Sequence, residues 1–164
     1  MDNYIEVGKI INTFGIKGEL KIVSDFEYKN KIFEKDFPLY IGELKEKELV
    51  SNHRLHKNYH LTIFKGYSNI NEVLKYKGKK IYVLRSDLKL NDDDYLLSDL
   101  IGFSVYDDGN LLGVIIDYEE TPSNVLFRVK GDKTFYLPNI DVYKKELKLD
   151  EKKIITNKGS DLII

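Results

Sequence analysis

The chain has 164 residues, a formal net charge of −1 and no cysteine. That length fits one domain or two small ones, and the missing thiols exclude a disulfide framework, a thiolate metal site and a cysteine nucleophile. The start, MDNYIEVGKI, has no basic segment followed by a long apolar run. No stretch approaches the roughly 18 apolar residues of a bilayer span. A cytoplasmic protein without a membrane segment is the expectation.

Charge is unevenly distributed. Residues 1–90 hold 17 Lys and Arg against 12 Asp and Glu, a net of +5, and residues 91–164 hold 9 against 15, a net of −6. A basic half suits phosphate and an acidic half suits a basic protein. Solvated surface on both halves is the competing account.

The pattern predicts strands over Tyr4–Ile11 and Glu19–Val23. Between them, Thr13-Phe14-Gly15-Ile16-Lys17-Gly18 has two glycines three apart and no acidic residue. A G-x-x-G loop clamps nucleic-acid backbone in one RNA-binding fold, but there it joins helices. Here it joins strands, so it reads as a turn, with Lys17 and Lys21 as candidate phosphate contacts. Asp25–Lys35 is polar and aromatic without clear periodicity, and Leu39–Ile41 is a short strand. Glu43–Glu48 reads as a charged connection, followed by strands at Leu49-Val50 and His60–Phe64. His53, His56 and His60 are three and four apart, but no apolar helical stripe accompanies them and no carboxylate or cysteine completes a metal set. They read as surface histidines.

One helix is well signalled. Asn69 and Glu72 have the spacing of a capping box, Ile70, Val73 and Leu74 form a stripe, and Gly78 suits the position after the last turn. Ile81–Leu84 returns to strand. Residues 86–93 read as a linker between an N-terminal domain, 1–85, and a C-terminal domain, 94–164. The second domain opens with Tyr95-Leu96-Leu97. It continues with two apolar runs around Asp107-Asp108-Gly109-Asn110, a strong hairpin signal. Strands follow at Val125–Lys130 and Thr134–Leu137, then alternation at Leu147 and Leu149, and a last strand at Ile154-Ile155. The fold class is mainly β, two small β-barrels joined by a short linker. No phosphate loop, dinucleotide fingerprint or H-E-x-x-H motif is present. Asp92-Asp93-Asp94 reads as solvated rather than as a cation site. No catalytic activity, cofactor or metal is therefore expected.

Four stretches carry a resemblance: VGKIINTFGIKGELKI, NEVLKYKGKKIYVLRSDL, DYLLSDLIGFSVYDDGNLLGVIIDYEET and LPNIDVYKKELKLDEKKIIT. In this order the chain resembles the RimM family of bacterial ribosome maturation factors. The resemblance implies an N-terminal barrel like the second domain of elongation factor Tu and a C-terminal PRC-barrel. It also implies a non-catalytic assembly factor that binds a protein of the 30S subunit head and promotes late maturation and processing of 16S rRNA. The partners are then that head protein, the 30S subunit and 16S rRNA, with no membrane, for a monomeric protein. The family usually has Tyr-Tyr and then Trp before Asp-Leu-Ile-Gly. Tyr95 keeps the first Tyr, while Leu96 and Leu97 stand for the second Tyr and the Trp, and Phe14 stands for the family's loop His. By this resemblance Tyr95, with Leu96 and Leu97 helping, forms part of the partner-binding site. The +5 balance and the acid-free loop Thr13–Gly18 make Lys17 and Lys21 the residues expected near rRNA phosphate. The competing account of the apolar trio is burial between the barrels. The alternative function is a general RNA-binding β-barrel module.

Overall fold

In the first strand, β1 (Tyr4–Phe14), Val7 and Ile10 both point into the core although they are three apart. A bulge explains this. Register with the last strand of the unit shifts between Glu6 and Gly8, and the extra residue resets the alternation. Gly8 sits where a Cβ would lie 2.5 Å from the Val23 carbonyl oxygen, so the bulge needs glycine. This computed structural model describes residues 3–140 and 142–163. It divides into two compact units, with the boundary after Leu90.

The N-terminal unit continues with β2 (Glu19–Val23), helix α1 (Lys29–Ile32), β3 (Pro38–Ile41), β4 (Glu46–His56), β5 (Tyr59–Phe64), helix α2 (Ile70–Val73) and β6 (Lys80–Leu84). The strands form a closed barrel in the order β1-β2-β5-β4-β3-β6, all antiparallel. Its interior is filled by Ile10, Leu20, Ile22, Leu39, Ile41, Val50, Leu61, Phe64, Ile81 and Val83, all within 1% of complete burial. Helix α2 starts as the sequence predicts. Asn69 Oδ1 accepts from the Glu72 amide, and the Glu72 carboxylate accepts from the Ser68 and Asn69 amides. Its stripe differs from the prediction. The chain tightens into a 3-10 turn at Leu74–Tyr76, which buries Val73 and Tyr76 and leaves Leu74 about half exposed. The Tyr67 and Tyr76 hydroxyls both donate to Glu48 Oε2.

Two further readings change. Glu43–Glu48 is not one charged connection, because Glu46, Lys47 and Glu48 begin the 11-residue strand β4 and pair with Ile41, Tyr40 and Leu39. Leu88, in the stretch read as linker, is buried in a 3-10 turn, and its carbonyl accepts from the Lys31 ammonium at 3.0 Å.

The C-terminal unit consists of β7 (Ser104–Asp107), β8 (Asn110–Glu120), β9 (Val125–Lys130), β10 (Thr134–Pro138), β11 (Lys144–Lys148) and β12 (Lys153–Thr156). They form one six-stranded sheet in the order β10-β9-β8-β7-β12-β11, with β12 parallel to β7. The predicted Asp-Gly hairpin joins β7 to β8, with Asp108 at φ 49° and Gly109 at φ 78°, as a type I′ turn requires. Leu97, Leu100, Phe103, Val105, Ile115, Phe127, Val129, Phe135, Leu137 and Ile154 make its core. The chain is thus mainly β, as predicted, with its strands in a closed barrel and a six-stranded sheet. Among the described residues no helix is long and apolar enough to cross a membrane.

Candidate functional site

The acidic entry to the second unit is ordered by its own carboxylates. Asp94 Oδ2 accepts from the Asn91 amide and Asp99 Oδ2 from the Leu96 amide, both at 2.9 Å. Those two bonds close successive turns around Tyr95-Leu96-Leu97 and lead into the 3-10 turn Leu97–Leu100. The three residues separate physically. Leu96 and Leu97 are 2% and 8% exposed, with Leu97 inside the unit's core, whereas Tyr95 is half-buried and packs against that core from its edge.

The loop between β1 and β2 is also fixed. Gly15 and Gly18 adopt φ 70° and 92°, values glycine reaches without strain. The Ile70 amide at the start of α2 donates to the Ile16 carbonyl at 2.9 Å, and a Cβ on Gly18 would lie 3.3 Å from the Asn69 nitrogen. Helix α2 therefore clamps the loop and presents Lys17 and Ile16 to solvent. Lys21 is on the adjacent strand, its ammonium 4.0 Å above the Tyr59 ring. Lys17 and Lys21 thus stand on a turn and on the middle of strand β2, not on one continuous loop.

Around them is a set of groups that sequence reading missed. The Arg54 guanidinium makes a bidentate pair with Glu19 at 2.9 and 3.0 Å and lies over the Phe14 ring, which also contacts His56 at 5.2 Å between centroids. Basic and aromatic side chains alternate here, yet they come from β1, β2, β4 and β5, so no single segment displays the alternation.

The histidines correct a second expectation. His60 is only 6% exposed, and His53 Nε2 lies 2.9 Å from His60 Nδ1 across the β4–β5 hairpin. Phe33 stacks on both rings, at 4.7 and 4.4 Å. The hairpin pairs Leu55 with His60 and His53 with Thr62, which makes the two imidazoles diagonal neighbours on one face. Burial lowers the pKa of His53 from its ordinary value, and burial together with the nearby His53 and Lys29 lowers that of His60. The shared hydrogen bond also requires at least one neutral ring. A depressed folded-state pKa adds stability above the unfolded value of 6.5, and that stability is lost as pH falls through the folded value. Thermal melts should show the melting temperature falling as pH drops below 6.5, before the carboxylates Asp36, Glu72 and Asp107, whose pKa values are lowered, begin to titrate. His53→Gln should flatten this profile, and a wild-type profile that is already flat would contradict it. Among the described residues no group of three or more His, Asp or Glu is arranged to hold a metal.

A family model described as the RimM N-terminal domain matches residues 5–88, half of the chain. The chain is 37% identical over 155 residues to the ribosome maturation factor RimM of Staphylococcus haemolyticus, covering 92% of this chain and 93% of that one. It is 36% identical over 156 residues to the Staphylococcus aureus protein of the same name, with the same coverage.

The chain belongs to the RimM family of ribosome maturation factors.

A crystal structure described as a 16S ribosomal RNA processing protein RimM, from Pseudomonas aeruginosa, is 24% identical. It covers 97% of this chain and 99% of its own, with a TM-score of 0.49. The stretch shared with the staphylococcal RimM proteins covers 92% of this chain and so extends over most of both units.

Proposed function

We propose that this chain is a non-catalytic ribosome assembly factor that acts as a monomer in the cytoplasm. It binds a basic protein of the 30S subunit head through its C-terminal unit and lies against 16S rRNA through its N-terminal unit, promoting late maturation and rRNA processing. The observation that carries this reading is similarity to ribosome maturation factors across both units. The charge division supports it, since the net of +5 over 1–90 and −6 over 91–164 changes sign at the boundary between the units. Opposite fields on two units steer phosphate to one and a basic protein to the other.

Within this reading Tyr95 makes the protein contact, while the buried Leu96 and Leu97 hold its segment in place. Lys17 and Lys21 face rRNA phosphate from the clamped loop and from β2. Each phosphate contact adds about one unit to the slope of log affinity against log salt. The double variant Lys17→Glu, Lys21→Glu is therefore expected to bind small subunits more weakly and with a slope lower by about two. Filter binding across a salt series reads both quantities, and an unchanged slope would make these lysines ordinary solvated surface. The reading as a whole is tested by calorimetry with the isolated head protein, for which stoichiometric binding that needs the C-terminal unit's Tyr95 segment is the expected result.

A further inference from the structure

The N-terminal unit contains a cavity of about 670 Å³ that neither the glycine loop nor the Tyr95 segment explains. Its walls come from helix α1, the end of β2 and the β4–β5 hairpin. We propose that this cavity receives one unpaired nucleotide of single-stranded RNA, an inference that rests on the reading of the N-terminal unit as the rRNA-facing one.

The volume falls within the range of built small-molecule sites, about 300–1,000 Å³. Part of the lining is planar. Phe33 lies nearly parallel to both His53 and His60, with interplanar angles of 10° and 12°. Phe33 and His60 are each 6% exposed and stack on one another. The partly exposed His53 is therefore the ring of this cluster that an unstacked RNA base can reach, and the base edge is then read by side-chain hydrogen bonds. Asn30 and Asn58, on α1 and on the hairpin turn, each offer a donor and an acceptor for such an edge. Lys29 and Lys57 bring one cation from each of the same two walls, and Asp25 and Glu34 balance them. A lining with balanced charge does not favour a bare anion. It suits a neutral hydrogen-bonding base whose phosphate reaches a lysine. Leu55 also lines the cavity at 66% exposure, apolar surface that a base would cover. A duplex keeps its bases stacked and paired, so only a single strand can supply the occupant.

The test is NMR of the full chain with 13C-labelled histidine, titrated with a single-stranded RNA hexamer of mixed sequence and with the same strand annealed to its complement. His56 lies outside the cavity, against Phe14 in the Lys17 and Lys21 patch, and so reports separately on RNA bound there. The His53 and His60 imidazole resonances should move with the single strand and not with the duplex. Asn30→Trp, at an exposed position of α1, should fill the mouth, abolish those shifts and weaken hexamer binding about ten-fold, the scale of one lost base stack. Lys57→Asn, which suits the left-handed turn at φ 57°, should weaken binding and lower its salt slope by about one. His53 and His60 resonances unmoved at saturating hexamer would overturn the proposal, as would shifts that survive both substitutions. Shifts produced by the isolated head protein but not by RNA would make the cavity a protein site and equally overturn it. If small-subunit binding persists while the hexamer leaves His53 and His60 unmoved, the cavity proposal alone fails. Loss of all subunit binding by the unmodified protein is the distinct failure of the broader reading.

Discussion

Gly131→Ala should destabilise the C-terminal unit by about 3 kcal/mol, at the upper end of what overpacking costs. A Cβ on Gly131 would lie 2.0 Å from the Leu112 carbonyl oxygen, and one on Gly113 would lie 2.5 Å from that of Lys130. The two backbones meet at the end of the β8–β9 ladder, beside the pair Val114 and Lys130. The obstructing atoms are backbone, so they cannot turn aside as a flexible side chain would. For a unit of this size a loss of about 3 kcal/mol lowers the melting temperature by roughly 15 °C. Hydrogen exchange should show the loss in β8 and β9. Gly109→Asn is the matched control. It adopts φ 78° in open space, and Asn tolerates that region, so it should cost less than about 1 kcal/mol. Equal effects from the two substitutions would refute the argument from backbone approach.

Tyr95→Ala should weaken binding to the isolated head protein by about 2 kcal/mol or more, roughly thirty-fold, the cost of truncating an interface hot spot. The residue is suited to that role by position. Its segment is held by Asp94 and Asp99, Leu96 and Leu97 are buried beside it, and Tyr95 itself stays partly exposed. A pre-ordered aromatic loses little entropy on binding. Leu97→Ala separates stability from recognition. It removes core volume at a position 8% exposed, so it should lower the melting temperature while leaving affinity per folded molecule near wild type. If Tyr95→Ala behaves in the same way as Leu97→Ala, Tyr95 is a packing residue and the binding site lies elsewhere.

How far the sequence could be read depended on how local each feature was. The Asp108-Gly109 hairpin and the Asn69–Glu72 cap were legible because their hydrogen bonds lie within a few residues of one another. Strand β4 was not. Its first half is a run of Glu and Lys, and it becomes a strand through pairing with β3 on one side and β5 on the other, where Val50 alone of its residues is buried. The Tyr76 side chain is buried because a 3-10 turn replaces the last helical turn, which the apolar stripe does not reveal. The same limit governed the candidate sites. The Tyr95 segment was reached through family resemblance, since three apolar residues at a domain start carry no functional signature of their own. The alternation of Lys21, Tyr59, Arg54 and Phe14 is assembled from four strands. His53 and His60 are seven residues apart, and an odd spacing along one strand would put them on opposite faces. The hairpin folds them onto the same face instead.

Co-sedimentation with ribosomal particles tests the central claim most directly. The protein is incubated with immature small subunits, mature small subunits and protein-free 16S rRNA at one salt concentration and then pelleted. The account predicts near-stoichiometric recovery with immature small subunits, less with mature ones, and only weak, salt-sensitive recovery with bare RNA. Equal recovery with bare RNA and with immature subunits would contradict it and leave a general RNA-binding barrel in its place.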